Sequence, residues 1–250
     1  RVSLISSFPR IIFSSAKLAE LVFFPSFCKL CSSLLEVPGE RIVCFSCLEK
    51  VRPLRSSYCL CCGRFFEGEG RPHFCQNCLE KKPAFSCHRS CARYTGKLKD
   101  LILLFKYGHY KVLGKDLARF AYSALEKEEG LWWGVEAIVP IPLHPKREKK
   151  RGFNQARILA RELASLKSIE LLEGQLVKVK NVPPQTSLER EEREKNVRGA
   201  YEVAKRKRIK GKILLLIDDV YTTGSTLREC SAVLREAGAK EVRALTLAQA

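Results

Sequence analysis

The sequence predicts an α/β domain with a mainly parallel sheet, preceded by two small zinc ribbons. Four Cys-x-x-Cys pairs recur at regular spacing between residues 28 and 78. In the chain that follows, strand-like apolar runs alternate with amphipathic helix-like segments, a pattern typical of parallel sheets with helical crossovers. One run, KILLLIDDV, is apolar without interruption until it reaches two aspartates, as expected of a strand buried on both faces.

The paired cysteines predict two structural metal sites. The second set follows the first with a constant offset of 31 residues, which indicates an internal duplication. Each pair puts two thiolates on one turn, and two turns complete a tetrahedral sulfur site for Zn²⁺. Because so small a unit buries too little apolar surface to fold unaided, the metal supplies its folding energy. The predicted ligands are Cys28, Cys31, Cys44 and Cys47 in the first ribbon, and Cys59, Cys62, Cys75 and Cys78 in the second.

Other arrangements of the cysteines stay open. A disulfide framework is the main alternative, and it is disfavoured because the chain shows no export signal. Cys61 leaves one ligand of the second ribbon undecided, since it could replace Cys59 or Cys62. Cys87 and Cys91 lie in a strand-like segment and are predicted to be buried small hydrophobic residues.

The charge balance favours a partner that carries phosphate. The chain has 45 Lys and Arg against 27 Asp and Glu, a formal net charge of +18. Two runs concentrate this excess, HPKREKKR at 144–151 and KRKRIKGK at 205–212, although a solvated lysine-rich surface would look the same. No stretch approaches the roughly 18 apolar residues of a membrane span, and no signal peptide is evident. We therefore expect a cytoplasmic protein without a membrane span.

The segments that follow the cysteines predict a definite order of helices and strands. GKLKDLILLFKYG gives an amphipathic helix with Leu98, Ile102 and Phe105 on one face. A second helix is expected to end at Gly130, and a short strand then leads into a Pro-rich basic loop and a third helix. The remaining predicted strands are EGQLVKVKN, the stretch after the polar segment 181–197, KILLLIDDV and EVRALTLAQ, with a helix between the last two.

Asp218 and Asp219 are predicted to stand at the carboxyl end of a central strand, where open α/β sheets bind ligands. The residues TTGST then form the turn into the next helix, and their hydroxyls and N–H groups would cradle an anion. Adjacent acids suit the vicinal hydroxyls of a ribose, with Mg²⁺ nearby to neutralise charge. A helix cap and turn is the alternative, and it accounts for only one of the two acids.

Four segments resemble known family motifs. LLLIDDVYTTGST is similar to the phosphoribosyl-pyrophosphate (PRPP) binding motif of type I phosphoribosyltransferases, although Tyr221 is bulkier than the aliphatic residue usual there. PIPLHPKREKKRGFNQA, FKYG and PPQTSLEREEREKNVRGAY resemble further blocks of the ComF family of competence-associated proteins. That family joins an N-terminal zinc ribbon to a phosphoribosyltransferase-like domain, and the doubled ribbon fits its double-ribbon branch. The resemblance covers about residues 20–248.

The resemblance implies roles for particular residues. Asp218 and Asp219 would contact the ribose hydroxyls and Mg²⁺, and the hydroxyl-rich turn would hold the 5-phosphate. The basic loop would hold the departing pyrophosphate through Arg147 and Arg151, which with the two acids form the implied catalytic set. The implied PRPP-binding residues are Asp218, Asp219, Val220, Thr222, Thr223, Gly224, Ser225 and Thr226.

The resemblance also implies a mobile segment and a division of the chain. Segment 181–197 resembles the flap that closes over PRPP in related transferases, and Lys106 in FKYG is expected near the site. The implied boundaries are 1–24 for an N-terminal amphipathic segment, 25–82 for the double zinc ribbon and 83–250 for a type I phosphoribosyltransferase-like domain.

Two functions stay open at this level. The first is a phosphoribosyltransferase, a pentosyl-group glycosyltransferase that moves phosphoribosyl from magnesium–PRPP to an unknown acceptor and serves competence or DNA uptake. The second is a non-catalytic competence factor that uses the same fold to bind PRPP, another phosphorylated ribose or single-stranded DNA, and that meets other proteins of the competence machinery. In the second, the basic runs with Arg64 and Arg71 of the ribbons would follow a phosphate backbone.

Overall fold

The computed structural model describes residues 23–35, 41–54, 56–68, 70–181 and 197–250. The predicted N-terminal segment 1–24 lies outside the described residues except for its last two, and so do residues 182–196 of the predicted flap. Among the helices that are described, none has the length and apolar character that crossing a membrane requires.

A five-stranded parallel sheet forms the centre of the α/β part of the chain. The described strands are β1 (Cys87–Arg93), β2 (Ala137–Pro140), β3 (Glu170–Leu171), β4 (Leu176–Lys178), β5 (Tyr201–Val203), β6 (Ile213–Tyr221) and β7 (Glu241–Gln249). The sheet has the order β1, β7, β6, β2, β3, with every neighbouring pair parallel, whereas β4 and β5 form a separate antiparallel pair. The prediction of a mainly parallel sheet with KILLLIDDV at its centre is therefore confirmed.

Two short helices belong to the ribbons and six to the α/β part described. They are α1 (Phe45–Glu49), α2 (Gln76–Glu80), α3 (Gly96–Tyr107), α4 (Leu113–Leu125), α5 (Glu129–Trp132), α6 (Pro145–Arg151), α7 (Gln155–Lys167) and α8 (Ser225–Glu236). The predicted apolar face of α3 is confirmed, because Leu98, Ile102 and Phe105 are all buried.

The central strand β6 is buried on both faces, so its residues divide between two apolar cores. Leu215 and Ile217 belong to the core that α3, α4, α7 and the first ribbon complete. Leu214 and Leu216 belong to the core that α8, the β4–β5 pair and the second ribbon complete. The two ribbons therefore pack on opposite faces of one sheet, and burial of apolar surface, at about 25 cal/mol per Å², holds each of them there.

The predicted end of the second helix at Gly130 is wrong. The helix α4 ends at Leu125, and Gly130 lies inside the separate short helix α5. Glu128 has a non-helical backbone, with φ −77° and ψ 80°, which breaks the helical path. The indole N–H of Trp132 donates to the Leu125 carbonyl at 2.7 Å, so a carbonyl at the end of α4 keeps a partner.

The predicted basic loop after β2 is instead the helix α6. Pro145 occupies its first turn, and the His144 ring accepts a hydrogen bond from the Lys146 N–H at 3.3 Å. Gly152 ends the helix with φ +79°, a left-handed conformation that glycine adopts without strain. The prolines and lysines suggested a loop. However, proline is common in the first turn of a helix, and glycine is common directly after the last helical residue.

The outer edge of β1 is covered by the chain around the ribbons. The Leu54 N–H donates to the Cys91 carbonyl at 2.9 Å, and the His88 N–H donates to the Cys61 carbonyl at 2.7 Å. β1 is an edge strand of the sheet, and uncovered edge strands offer unpaired groups to other chains. The ribbons thus cover the sheet edge as well as its faces.

Candidate functional site

The eight predicted zinc ligands form two compact sulfur clusters. In each cluster of four, the sulfur atoms lie within 4.8 Å of one another. Measured pairs are 4.0 Å for Cys28–Cys47, 3.5 Å for Cys31–Cys44 and 3.7 Å for Cys62–Cys75. Zinc–sulfur bonds of about 2.3 Å in a tetrahedron require sulfur–sulfur separations of about 3.8 Å. The clusters therefore fit Zn²⁺.

Thiolates are the form that binds zinc, and the ligands differ in how far their surroundings favour it. Burial raises the pKa of Cys47, Cys62 and Cys78, whereas hydrogen bonds lower the pKa of other ligands. Hydrogen bonds from Ser33 lower the pKa of Cys31 to about 6. Burial alone would raise the pKa of Cys59, but the backbone N–H groups of Cys75, Cys62 and Cys61 lower it to about 7. With four sulfur ligands a zinc ion has no open position for water, so these sites are structural.

The described structure settles the open choice among the second ribbon's cysteines. Cys61 is outside the sulfur cluster, and its thiol is directed to the Phe85 carbonyl at 3.8 Å. Cys87 and Cys91 are buried in β1, as predicted.

The two acids of KILLLIDDV lie where β6 extends beyond its neighbour β2. The last paired residue of β2, Pro140, is opposite Ile217, so Asp218 and the residues after it have strand pairing only with β7. Both acids are half-buried. They therefore stand near the carboxyl end of β6, beyond its last pairing with β2, as the sequence predicted.

Asp219 faces α3 and forms an ion pair there. The Lys106 ammonium lies 2.7 Å from an Asp219 carboxylate oxygen. Burial by itself would lower the pKa of Lys106, but the Asp219 charge outweighs it and raises that pKa. The expectation that Lys106 lies near the site thus agrees with its position.

Asp218 faces the other side of the sheet and has no ion pair within hydrogen-bond distance among the described residues. Burial, followed by the charge of Asp219, raises the pKa of Asp218 to about 7. Its carboxylate accepts the Asp219 N–H at 2.9 Å, and the charges of Lys106 and Lys178 oppose the rise. Neighbouring strand residues point to opposite faces, so the two acids have different surroundings.

The residues TTGST form a tight turn into α8, whose first helical residue is Ser225. Gly224 has φ +80°, and the Thr223 and Ser225 hydroxyls lie 2.9 Å apart. In the part of the chain described, the N–H groups of Thr222, Thr223 and Gly224 have no hydrogen-bond acceptor. Free N–H groups at the start of a helix are suited to bind an anion. We call residues Thr222–Thr226 the hydroxyl loop.

The arginines of the predicted pyrophosphate loop have different surroundings. The positive charge of Arg147 lowers the pKa of Lys178 on β4, after the larger effect of burial, so Arg147 faces the β4–β5 side. Arg151 donates to the Gln155 amide oxygen at 3.0 Å, and its guanidinium lies 5.3 Å from the centre of the Tyr107 ring. The charge of Arg147 thus acts on Lys178, whereas the guanidinium of Arg151 is bonded to Gln155 near the end of α3.

Two cavities open on the described part of the chain, and neither is lined by Asp218 or Asp219. One, of about 580 Å³, lies between the first ribbon and α3. The other, of about 460 Å³, lies between the end of the second ribbon and α8, and it reaches the hydroxyl loop at Ser225. We call this second volume the basic cavity, because its lining includes Lys81, Lys82, Arg198 and Arg228.

Sequence reasoning missed the residues of the β4–β5 pair that face Asp218. Lys178 lies with its ammonium 5.0 Å from the centre of the Tyr201 ring, and burial lowers its pKa. Burial raises the pKa of Tyr201. A lysine between valines in a short apolar strand is a signal that could have found this group.

Comparisons with known proteins agree with this architecture. The chain matches the family described as the phosphoribosyl transferase domain over residues 111–250 and the family described as the double zinc ribbon domain over residues 20–79. Among solved structures, the glutamine PRPP amidotransferase from B. subtilis is similar at 27% identity and a TM-score of 0.35, over 55% of this chain and 26% of that one. Sheet, loop and sulfur clusters define a phosphoribosyltransferase-type protein with an N-terminal double zinc ribbon.

Curated relatives narrow this class to a family. Competence protein F of Haemophilus influenzae is 35% identical over 63% of this chain and 70% of its own length. Competence protein ComFC of Streptococcus pneumoniae is 31% identical over 64% of this chain and 67% of its own length. DNA utilization protein YhgH of Salmonella typhimurium is 29% identical over 65% of this chain and 72% of its own length. The chain belongs to the ComF family of competence and DNA-utilization proteins.

Proposed function

We propose that this chain binds magnesium–PRPP at the carboxyl edge of β6 and transfers its phosphoribosyl group to a nitrogen acceptor. One observation carries the proposal. Asp218 and Asp219 emerge beyond the end of β2, directly before a hydroxyl loop with free N–H groups at the start of α8. An acid pair followed by an anion cradle matches a ligand with ribose hydroxyls at one end and a 5-phosphate at the other.

Each part of the site would contact a different part of PRPP. The hydroxyl loop would hold the 5-phosphate, the acids would accept hydrogen bonds from the ribose hydroxyls, and Arg147 would neutralise the departing pyrophosphate. Mg²⁺ binds carboxylate oxygens and needs only one or two of them, which Asp218 with Asp219 can offer. When bound, the metal would neutralise charge on pyrophosphate. Lys106 competes for Asp219, so we assign Asp218 the larger share of metal binding.

Calorimetric titration with PRPP, with and without Mg²⁺, tests the proposal. Asp218→Asn combined with Asp219→Asn is expected to abolish binding, because both acceptors for ribose and metal are lost. The control is Asp100→Asn, at an acid on α3 whose side chain is 47% exposed. An unchanged magnesium-dependent affinity in the double variant would contradict the proposal.

Pyrophosphate release tests whether binding leads to turnover. PRPP would be incubated with the protein and a panel of bases, amines and oligonucleotides. Acceptor-dependent release that the acid variants abolish would identify the reaction and its acceptor class. Tight binding with no release across the panel would favour a regulatory or scaffolding use of PRPP.

The basic cavity favours a second candidate function, binding of single-stranded DNA. Four cationic side chains line the cavity, and its one acid, Glu229, already accepts the Gly199 N–H at 2.5 Å. Among the described residues, the buried Nε of Arg228 has no hydrogen-bond partner. Exposed Arg64 and Arg71 extend positive charge along the second ribbon. Relatives named for competence and DNA utilization support a nucleic-acid partner.

The salt dependence of binding tests this candidate. Affinity for a single-stranded oligonucleotide should fall steeply with salt, since each phosphate contact releases counterions. Lys82→Glu with Arg228→Glu should reduce the slope by about 1 to 2, at roughly 0.7 per contact on single strands. The control is Lys207→Glu with Lys210→Glu, in the basic run 205–212 outside the cavity. An affinity that does not change with salt would contradict a site in the cavity. So would equal changes of the salt slope in the two double variants.

A further inference from the structure

Tyr221, the last residue of β6, lies between the second ribbon and the hydroxyl loop. Its ring is buried and stacks on the His88 imidazole, with centroids 4.4 Å apart and an interplanar angle of 18°. This residue departs from the aliphatic one expected in the motif, so the stacking is specific to the tyrosine here.

His88 is fixed by the second ribbon on one side and by the sheet on the other. It is fully buried, and its Nδ1 lies 2.8 Å from the carbonyl of Cys62, a predicted zinc ligand. Its Nε2 lies 3.0 Å from the Thr246 hydroxyl. A carbonyl can only accept, so Nδ1–H donates to Cys62, and Nε2 can accept from the Thr246 hydroxyl.

On its other side Tyr221 supports the turn of the hydroxyl loop. A Cβ atom at Gly224 would lie 2.5 Å from the Tyr221 hydroxyl oxygen and 2.9 Å or less from two of its ring carbons. The loop backbone at Gly224 therefore rests directly on the tyrosine. Because Gly224 has a left-handed backbone, its orientation sets the direction of the free N–H groups around it.

A second set of contacts joins the same two regions. The Phe65 N–H of the second ribbon donates to the Gln249 side chain at 2.9 Å, and Gln249 is paired with Tyr221 across β7 and β6. The Ala250 N–H donates to the Tyr221 carbonyl at 2.9 Å. Gly63 packs so closely on the His88 backbone that a Cβ there would lie 2.3 Å from its carbonyl oxygen.

We infer that the second zinc ribbon fixes the hydroxyl loop through Cys62, His88, Tyr221 and Gly224, so that zinc binding in this ribbon is coupled to phosphate binding at the loop. Tyr221 and His88 are positioning residues, because the loop and not they would contact the ligand. The coupling to a ligand rests on the proposed function, whereas the coupling to loop order does not. Thermodynamic linkage requires that ligand and zinc strengthen each other by the same factor.

The first ribbon provides a matched internal control. Its buried residues pack in the core on the α3, α4 and α7 side of the sheet, opposite the core that contains Tyr221. The duplication makes the two ribbons equivalent in ligand spacing, so Cys44→Ser with Cys47→Ser matches Cys75→Ser with Cys78→Ser. Only Cys75→Ser with Cys78→Ser, in the second ribbon, should change the order of the hydroxyl loop.

Hydrogen exchange in the absence of ligand tests the coupling to the loop directly. The hydrogen-bonded backbone amides of residues 228–232, of which Arg228 donates to the Gly224 carbonyl, should exchange about tenfold faster after Cys75→Ser with Cys78→Ser, and likewise after Tyr221→Val. Exchange should be unchanged after Cys44→Ser with Cys47→Ser, and Tyr221→Phe should restore protection because it keeps the ring. Equal exchange of these amides in all variants would overturn the inference, whether or not PRPP binds.

Zinc affinity measured by competition with a chelator tests the ligand coupling. In the protein with only the second ribbon intact, saturating PRPP should tighten zinc binding about tenfold, and zinc should tighten PRPP by the same factor. In the protein with only the first ribbon intact, PRPP should leave zinc affinity unchanged. PRPP binding by the unaltered protein with no effect on either ribbon would overturn the coupling. Failure of the unaltered protein to bind PRPP would instead refute the proposed function, and hydrogen exchange would still decide the inference.

Discussion

Asp218 is a carboxyl group whose surroundings favour its protonated form. Burial and the neighbouring Asp219 raise its pKa to about 7, and no described cation forms an ion pair with it. Residues that lower the stability of a fold are typical of sites that a ligand completes. The sequence predicted that both acids stand at this strand end, but it could not predict that they have different partners. That difference depends on Lys106 and Lys178, which lie far from them in the chain.

We predict that Asp218→Asn stabilises the free protein, and more at pH 8 than at pH 5. The pKa of Asp218 rises from an ordinary value of 3.8 to about 7 on folding, so the unfolded chain loses this proton first and stability falls between those values. Above pH 7 the full penalty applies, on the order of 1–2 kcal/mol for a half-buried acid. Denaturant unfolding of the variant and of the unaltered protein at both pH values measures the difference in their free energy of unfolding. Asp100→Asn is the control, and an equal gain at both pH values would refute the assignment.

At the scale of elements, α6 changes how the pyrophosphate contacts are assigned. Proline, lysine and arginine in HPKREKKR suggested a loop with two equivalent arginines. The helix gives them unequal surroundings, because Arg151 is already bonded to Gln155 and packed near Tyr107. Helix boundaries of this kind depend on a side-chain cap from His144 and on the backbone angle of Gly152, which periodicity does not reveal.

We predict that Arg147→Ala weakens PRPP binding at least about tenfold, whereas Arg151→Ala weakens it by about twofold or less. A free guanidinium that meets a phosphate is worth about 1.5–3 kcal/mol, and one that must first leave other partners gains less. Pyrophosphate alone should show the same ranking, because it carries the group that Arg147 is proposed to meet. Calorimetry with both ligands is the measurement. Equal losses in the two variants would restore the equivalent roles that the sequence suggested.

For the whole molecule, sequence reasoning predicted the parts better than their arrangement. The regular cysteine spacing and the continuous apolar run of β6 are signals that neighbouring residues carry, and both led to correct elements. The attachment of the ribbons to the sheet rests on contacts such as Leu54 with Cys91 and Phe65 with Gln249. Such contacts join residues without any shared pattern, so only the folded chain reveals them.

We predict that residues 83–250 expressed alone self-associate, whereas the zinc-loaded full chain does not. The shortened chain retains β1 but lacks Leu54 and Cys61, which pair with its outer edge. Uncovered edge strands recruit further strands. Light scattering at increasing concentration compares the two proteins. A monomeric, well-folded fragment would instead support the predicted boundary at residue 83 as an independent folding unit.

The covering of β1 by metal-folded segments has a consequence for the protein in a zinc-poor cell. Loss of Zn²⁺ from the ribbons would uncover hydrogen-bonding groups of β1 that solvent and other copies can reach. We therefore expect starvation for the metal to remove the protein by precipitation.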